Sequence, residues 1–284
     1  MDENLINQLR DSIPNLKITK ELKTGGQKVV YSAYYNNTYR VVFKVISPVN
    51  EEDKNRALRE IEICSNFDST YFAKLYDYGQ YEYEGSSVIY VIEEYIPGSN
   101  LRDLLIKSQP KILPLSQIKR IISSLLDALK LIEDFNLVHR DIKPENILVN
   151  DERIVLIDFG IARRIDQKSL TNSFAIYGPM TPGYAPPEQI RNEKRKISIR
   201  TDLFALGVVF YEMLTGYNPF FKNANTPSEA IYNVLKFEPP RLVTFGYNYS
   251  FDEFIFKCIE KNCHRRPANV NTAKVLFDKI IWEE

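Results

Sequence analysis

The sequence predicts an α+β protein whose first third is rich in strands and whose remainder is rich in helices. Runs of β-branched and aromatic residues dominate from Leu16 to about Tyr95, and helical spacing of apolar residues dominates after Leu101. A turn-rich stretch at residues 96–100 separates the two regions. The predicted organisation is an N-terminal extension over residues 1–14, a sheet region over 15–95 and a helical region over 96–284.

The composition is that of an ordinary globular protein. Of the 284 residues, 44% are hydrophobic and 26% are charged, so the chain is long enough to bury a core. The 37 basic residues balance 37 acidic ones, and we expect no nucleic-acid partner. Three cysteines do not suggest a disulfide framework. The sparse cysteines favour a reducing compartment, and no apolar run is long enough to span a membrane, so we expect a cytoplasmic protein.

The first elements in chain order are a helix or tail and a strand. Residues 1–14 are predicted to form a short polar helix or tail. Residues 38–46 favour a strand because β-branched and aromatic side chains are frequent there. Successive side chains in a strand point to opposite faces, so Val42, Lys44 and Ile46 share one face.

Helices and a hairpin follow. Residues 53–66 favour a helix, in which Glu60 falls inside a broad apolar arc. Two strand-like runs flank Glu84 and Gly85, which predicts a hairpin with a two-residue turn. Residues 201–215 are apolar nearly all round, so we predict a buried helix that ends at Gly216.

The sharpest chemical signal is a pair of motifs between residues 138 and 160. The segment Val-His-Arg-Asp-Ile-Lys-Pro-Glu-Asn contains Asp141, Lys143 and Asn146, and Asp158 begins an Asp-Phe-Gly triplet downstream. Carboxylate and amide oxygens are the ligands that Mg²⁺ prefers, so Asn146 and Asp158 are candidate metal ligands. A further carboxylate, Asp141, can orient a hydroxyl group or accept its proton.

This ordered set resembles the eukaryotic-type (Hanks-type) Ser/Thr protein kinase family, including its bacterial members. The resemblance implies a bilobal fold, with a small antiparallel-sheet lobe that carries one helix, a larger helical lobe and ATP at the seam. It also implies that ATP and Mg²⁺, or Mn²⁺, are the cofactors and that proteins with Ser or Thr hydroxyls are the substrates.

The resemblance assigns a nucleotide site as well. Lys44 would hold the α- and β-phosphates and pair with Glu60. Glu93 falls at the back of the pocket, where its charge is expected to narrow access for bulky ligands. The hinge that hydrogen-bonds adenine includes Glu94. The residues that would border the adenine ring are Val30, Val42 and Leu148.

The glycine-rich loop departs from the family pattern. Aligned on Val30, its three glycine positions are Lys23, Gly25 and Lys28, so one glycine remains and Gly26 follows it. The backbone amides of Gly25 and Gly26 can still approach a phosphate closely. The departure leaves an alternative open, namely a pseudokinase that acts as a scaffold or binding module.

Residues 181–188 resemble the end of the family's activation segment, in which Glu188 would pair with Arg266. A small-molecule kinase of related fold is a third reading, but such proteins generally lack a residue like Glu188. Asp202 would hold the backbone of the loop before Asp141.

Substrate class and regulation also follow from the resemblance. Lys143 lies two positions after the catalytic aspartate, which marks the Ser/Thr branch. Arg140 favours an anionic partner, and a phosphate on the activation segment could supply it. We predict autophosphorylation at Ser169, Thr171 or Ser173.

Overall fold

The computed structural model describes residues 3–25, 28–48, 50–65, 70–108, 112–158 and 180–282, and for residues 23–25, 52, 53, 56, 60 and 63 the backbone alone. The described residues form two compact units, of which the first ends at Pro97 and the second begins at Gly98. The division into residues 1–14, 15–95 and 96–284 stays a prediction.

A five-stranded antiparallel sheet forms the body of the first unit. Its strands lie in the order β1-β2-β3-β5-β4. They are β1 Leu16–Gly25, β2 Lys28–Tyr35, β3 Tyr39–Ile46, β4 Leu75–Tyr83 and β5 Ser86–Glu94. The predicted hairpin is confirmed, because Tyr83 pairs with Ser86 across Glu84 and Gly85. Both turn residues have positive φ angles, as a tight hairpin turn requires.

Helix α1, Glu3–Ser12, covers one face of this sheet. Leu5, Ile6 and Leu9 are buried in a cluster with apolar residues of the strands, among them Phe43. The predicted short helix is confirmed, but it is not polar all round, because its apolar residues recur at helical spacing and form a buried stripe.

Helix α2, Glu51–Ser65, packs on the other face. Ala57 and Ile61 of α2 are buried against Ile46, Ile89 and Val91 of the sheet. Two neighbours of Lys44 in β3, Phe43 and Val45, belong to the α1 side. The alternation along the strand thus places Lys44 on the α2 face, as predicted.

The second unit is mainly helical. The helices among its described residues are α3 Leu101–Lys107, α4 Leu115–Asp134, α5 Pro187–Ile190, α6 Ile199–Thr215, α7 Pro227–Lys236, α8 Tyr249–Cys258 and α9 Val270–Phe277. A small antiparallel sheet in the order β6-β7-β8 accompanies them. Its strands are β6 Ser99–Asn100, β7 Ile147–Val149 and β8 Ile154–Leu156.

The core of the second unit surrounds α6. All its residues from Thr201 to Leu214 are buried, and Phe210 packs against aromatic rings that include Phe251 and Phe254. Gly216 ends the helix in the left-handed conformation, with φ 77°. The predicted buried helix is confirmed, and its first turn brings Asp202 to the loop that carries the candidate site.

No helix within the described ranges is both long and apolar enough to cross a bilayer.

Candidate active site

Asp141 is the centre of the candidate site in the second unit. Its Oδ1 accepts a hydrogen bond from the Thr181 hydroxyl at 2.8 Å, and its Oδ2 lies 3.0 Å from the Lys143 ammonium. The same ammonium donates to the Thr181 hydroxyl at 3.2 Å. A carboxylate, an ammonium and an alcohol thus meet at one point, and each orients the other two.

Asn146 braces this aspartate. Its Nδ2 donates to the backbone oxygen of Asp141 at 2.8 Å and to the Oδ2 atom of the same residue at 3.0 Å. A short 3-10 turn at residues 144–146, opened by Pro144, carries Asn146 to this position. Because the amide nitrogen is committed to Asp141, the amide oxygen is the atom of Asn146 that suits a metal ion.

The second candidate metal ligand, Asp158, follows strand β8. The preceding residue, Ile157, donates its backbone N–H to the carbonyl of Asn146 at 2.9 Å. This bond ties the stretch before Asp158 to the turn that holds Asn146. Asp158 has a φ angle of 59°, a conformation that is uncommon outside glycine and is found at functional sites. An amide oxygen and a carboxylate are hard donors and fit a divalent cation such as Mg²⁺.

Asp202 holds the loop before Asp141, as expected. Its two carboxylate oxygens accept the backbone N–H groups of His139 and Arg140, each at 2.7 Å. The side chain is fully buried. Burial raises the pKa of the Asp202 carboxyl to about 8, although the hydrogen bond from His139 lowers it. The Arg140 backbone, held at φ 68°, also accepts a bond from Gln189 Nε2 at 3.0 Å.

The expected pair between Glu188 and Arg266 is present. Two parallel bonds of 2.6 and 2.9 Å join the guanidinium to the carboxylate, and both side chains are buried. Thr201 donates a further bond to Glu188 at 3.1 Å. The pair fixes α5 to the loop before α9. The predicted phosphorylation sites Ser169, Thr171 and Ser173 lie outside the described residues.

The first unit gathers the predicted nucleotide-binding side chains on the α2 face. Val30 lies opposite Lys44 in the β2–β3 register, so the two share a face. Val42 lies on that face as well, one row along and opposite Glu93. Leu148, the third predicted adenine neighbour, lies in the second unit on β7.

Lys44 is buried and forms an ion pair with Glu93. Its expected partner was Glu60, whose side chain lies outside the described residues. The structure therefore shows a partner for Lys44 that the sequence did not predict.

The remaining predicted ligands lie at the ends of strands. Gly25 pairs with Lys28 at the end of the β1–β2 hairpin, and Gly26 lies outside the described residues. Glu94 ends β5, where its backbone N–H bonds the Lys74 carbonyl at 2.8 Å.

One partly buried network was not predicted from the sequence. Arg102 on α3 donates to Glu145 at 2.8 Å, to Glu212 at 2.5 Å and to the Tyr184 hydroxyl at 2.5 Å. Tyr184 in turn bonds Glu212. Four elements far apart in sequence meet here, and no local spacing signals their contact. The network joins the turn at residues 144–146, which also carries Asn146, to the segment that carries Thr181.

The described residues form a sheet unit and a helical unit, and the helical unit brings a carboxylate, an ammonium and an alcohol together. The chain belongs to the protein kinase family, because the protein kinase domain family matches residues 16–277. The kinase domain of Mycobacterium tuberculosis PknI shares the fold, with a TM-score of 0.71 and 20% identity over 94% of this chain and 97% of that one.

Two bacterial relatives are similar in sequence. A probable serine/threonine-protein kinase of Clostridium acetobutylicum is 32% identical over 90% of this chain and 38% of its own length. The serine/threonine-protein kinase PknB of Mycobacterium leprae is 31% identical over 85% of this chain and 39% of its own length. The chain thus spans about two fifths of the length of these relatives.

Proposed function

We propose that the chain transfers the γ-phosphate of ATP to Ser or Thr hydroxyls of protein substrates, assisted by Mg²⁺ or Mn²⁺. One observation carries the proposal: the Asp141 carboxylate already accepts a hydrogen bond from an alcohol, at 2.8 Å, beside the Lys143 ammonium. A substrate hydroxyl has the same chemistry as the Thr181 hydroxyl, so this carboxylate is equipped to orient it.

Side chains of the catalytic loop, residues 139–146, and of Asp158 then have distinct roles. Asp141 orients the substrate hydroxyl and takes up its proton, and Lys143 balances the charge of the transferred phosphoryl group. Asn146 and Asp158 would hold the divalent cation, which supplies charge neutralisation for the phosphates.

In the first unit, Lys44 would bind the α- and β-phosphates, and its pairing with Glu60 stays a prediction. Val30 and Val42 would border the adenine on this face of the sheet, and the role of Leu148 stays a prediction. Backbone groups of Gly25, Gly26 and Glu94 would complete the nucleotide contacts.

The substrate class rests on two supports. Lys143 occupies the position that marks Ser/Thr kinases, and the bacterial relatives carry the name of serine/threonine-protein kinases. The comparisons give no support to a pseudokinase, and Lys44, Asp141, Asn146 and Asp158 are all present. A cytoplasmic location remains a prediction from the sparse cysteines.

The experiment is a radiolabelled transfer assay with ATP, Mg²⁺ or Mn²⁺, and a generic protein substrate. We expect label on protein for the wild type and a loss of about 10³-fold or more for Asp141→Asn and Asp158→Ala. Asp151→Asn is the matched control, because Asp151 is exposed in the turn between β7 and β8.

Two outcomes would contradict the proposal. ATP that stabilises the fold without any transfer would indicate a pseudokinase, and label on a small molecule without label on protein would indicate a small-molecule kinase.

Autophosphorylation is a separate part of the proposal. Mass spectrometry of protein incubated with ATP should find phosphate at Ser169, Thr171 or Ser173. If those three residues stay unmodified while an added substrate is labelled, the enzyme is active without this modification.

A further inference from the structure

We propose that Glu93 competes with the phosphates of the nucleotide for the ammonium of Lys44, and so lowers the preference of the site for ATP over adenosine. The inference rests on the proposed function, because it assumes that ATP binds beside Lys44. It assigns Glu93 an electrostatic role in nucleotide selection, beyond narrowing access to the back of the pocket.

The strand register places the two charges together. Lys44 on β3 lies opposite Val91 of β5, and Val42 lies opposite Glu93. Lys44 and Glu93 are therefore diagonal neighbours on one face of the sheet, within reach of long side chains. Ion pairing between them follows from the backbone ladder and does not depend on where α2 lies.

Burial strengthens the contact. The Lys44 side chain is 9% exposed and the Glu93 side chain 18%. Water screens a pair at this depth less than it screens a surface pair. Glu93 also sits on a central strand, because β5 lies between β3 and β4. The sheet thus fixes the backbone of Glu93, and its carboxylate can leave Lys44 only through a change of side-chain rotamer.

The position of Glu93 gives the competition a direction. Glu93 shares its row with Val42, which would border the adenine, and the following residues of the chain form the predicted hinge. The carboxylate therefore draws the Lys44 ammonium along the sheet toward the adenine end. Incoming phosphates meet an ammonium that already has a neutralising anion, which weakens their attraction to it.

The test compares a ligand that has phosphates with one that lacks them. Isothermal titration calorimetry would measure the affinity of the intact chain for Mg²⁺ and a non-hydrolysable ATP analogue, and separately for adenosine. In Glu93→Gln, the analogue should bind about tenfold more tightly, and the affinity for adenosine should stay within about twofold. Glu82→Gln is the matched control, because it removes one exposed acid from β4 of the same sheet.

A double-variant cycle identifies the partner. Lys44→Met should remove the gain, so that Glu93→Gln adds nothing to the analogue affinity in that background. Glu93→Thr is a second variant in case the glutamine side chain still holds the ammonium by its amide oxygen. Thermal unfolding of each variant establishes that it is folded before titration.

The outcomes separate this inference from the proposed function. Equal gains for the analogue and adenosine would show that Glu93 acts through pocket shape, and a weaker analogue affinity would show that it orients Lys44 productively. Either result overturns the inference while leaving a nucleotide site in place. Failure of the wild type to bind either ligand would overturn the proposed function as well.

Discussion

The hydroxyl of Thr181 lies 2.8 Å from Oδ1 of Asp141 and donates a hydrogen bond to it. This contact joins the segment after residue 180 to the catalytic loop. Lys143 reinforces it by bonding both partners. The orientation of the proposed catalytic carboxylate thus depends on a residue that lies 40 positions away.

Removal of the Thr181 hydroxyl should slow phosphoryl transfer. Thr181→Val keeps the side-chain shape but deletes the donor, and a hydrogen bond to a charged group contributes about 1.5–3 kcal/mol. We expect kcat to fall by about 10- to 100-fold, while KM for ATP changes little. Steady-state kinetics would measure both, with Thr181→Ser as the control that restores the hydroxyl. A Thr181→Ser variant as slow as Thr181→Val would show that the methyl group matters, not the bond.

Separation of Glu188 from Arg266 should destabilise the second unit. Arg266→Met leaves a buried carboxylate without its bidentate partner, which costs about 3–5 kcal/mol. Chemical denaturation would measure the loss in free energy of unfolding. Arg265→Met is the control, because the neighbouring Arg265 side chain is exposed. Equal stability of the two variants would contradict the assigned role of the pair.

The charged side chain of Lys261 should lower the free energy of unfolding at neutral pH. Among the described residues its ammonium has no hydrogen-bond partner, and it lies 4.2 Å from the centre of the Phe220 ring. Burial lowers its pKa to about 8 from an ordinary value of 10.5. The unfolded chain therefore binds this proton more tightly than the folded chain does, and the wild type gains stability as pH rises from about 8 to about 10.5.

Lys261→Met tests this assignment. At pH 7 the variant should have a free energy of unfolding higher by about 1–2 kcal/mol, since a buried charge is replaced by an apolar side chain. The advantage should shrink above pH 8. Denaturant titrations between pH 6 and 10 would follow it, and Lys257→Met, at an exposed position of α8, is the control. A constant difference across this range would mean that the Lys261 proton is not involved.

Helix α1 should contribute to the stability of the first unit. Leu9 is fully buried, so Leu9→Ala should lower the free energy of unfolding by about 2–4 kcal/mol. Asn7→Ala, at an exposed position of the same helix, should change it little. Denaturation monitored by amide hydrogen exchange in β1 and β3 would show the effect. An unchanged exchange rate in Leu9→Ala would mean that α1 is dispensable for the sheet.

Local signals explain which parts of the fold were predictable. Local sequence patterns predict two elements, the turn at Glu84 and Gly85 and the buried helical run from Thr201 to Leu214. The contact of Asp202 with the catalytic loop was reached by family resemblance and is confirmed by two 2.7 Å bonds.

The rest depended on tertiary placement. The polar residues of α1 concealed three apolar positions, whose burial needs a sheet beneath them. The ion pair of Lys44 with Glu93 follows from the register between β3 and β5. The sequence of either strand alone does not predict that register. Arg102 reaches three acceptors from three other elements, so no window of the sequence contains the network.

The fully buried carboxylate of Asp202 couples the proposed catalytic activity to the thermal unfolding of the second unit. Asp202 lies in the first turn of the buried helix α6, and its carboxylate accepts two backbone N–H groups of the loop that holds Asp141. We therefore expect thermal inactivation at the temperature at which the core around α6 unfolds. Inactivation at a lower temperature, through local unfolding of a surface loop, is not expected. Substitutions deep in the hydrophobic interior would then lower activity and thermal tolerance together.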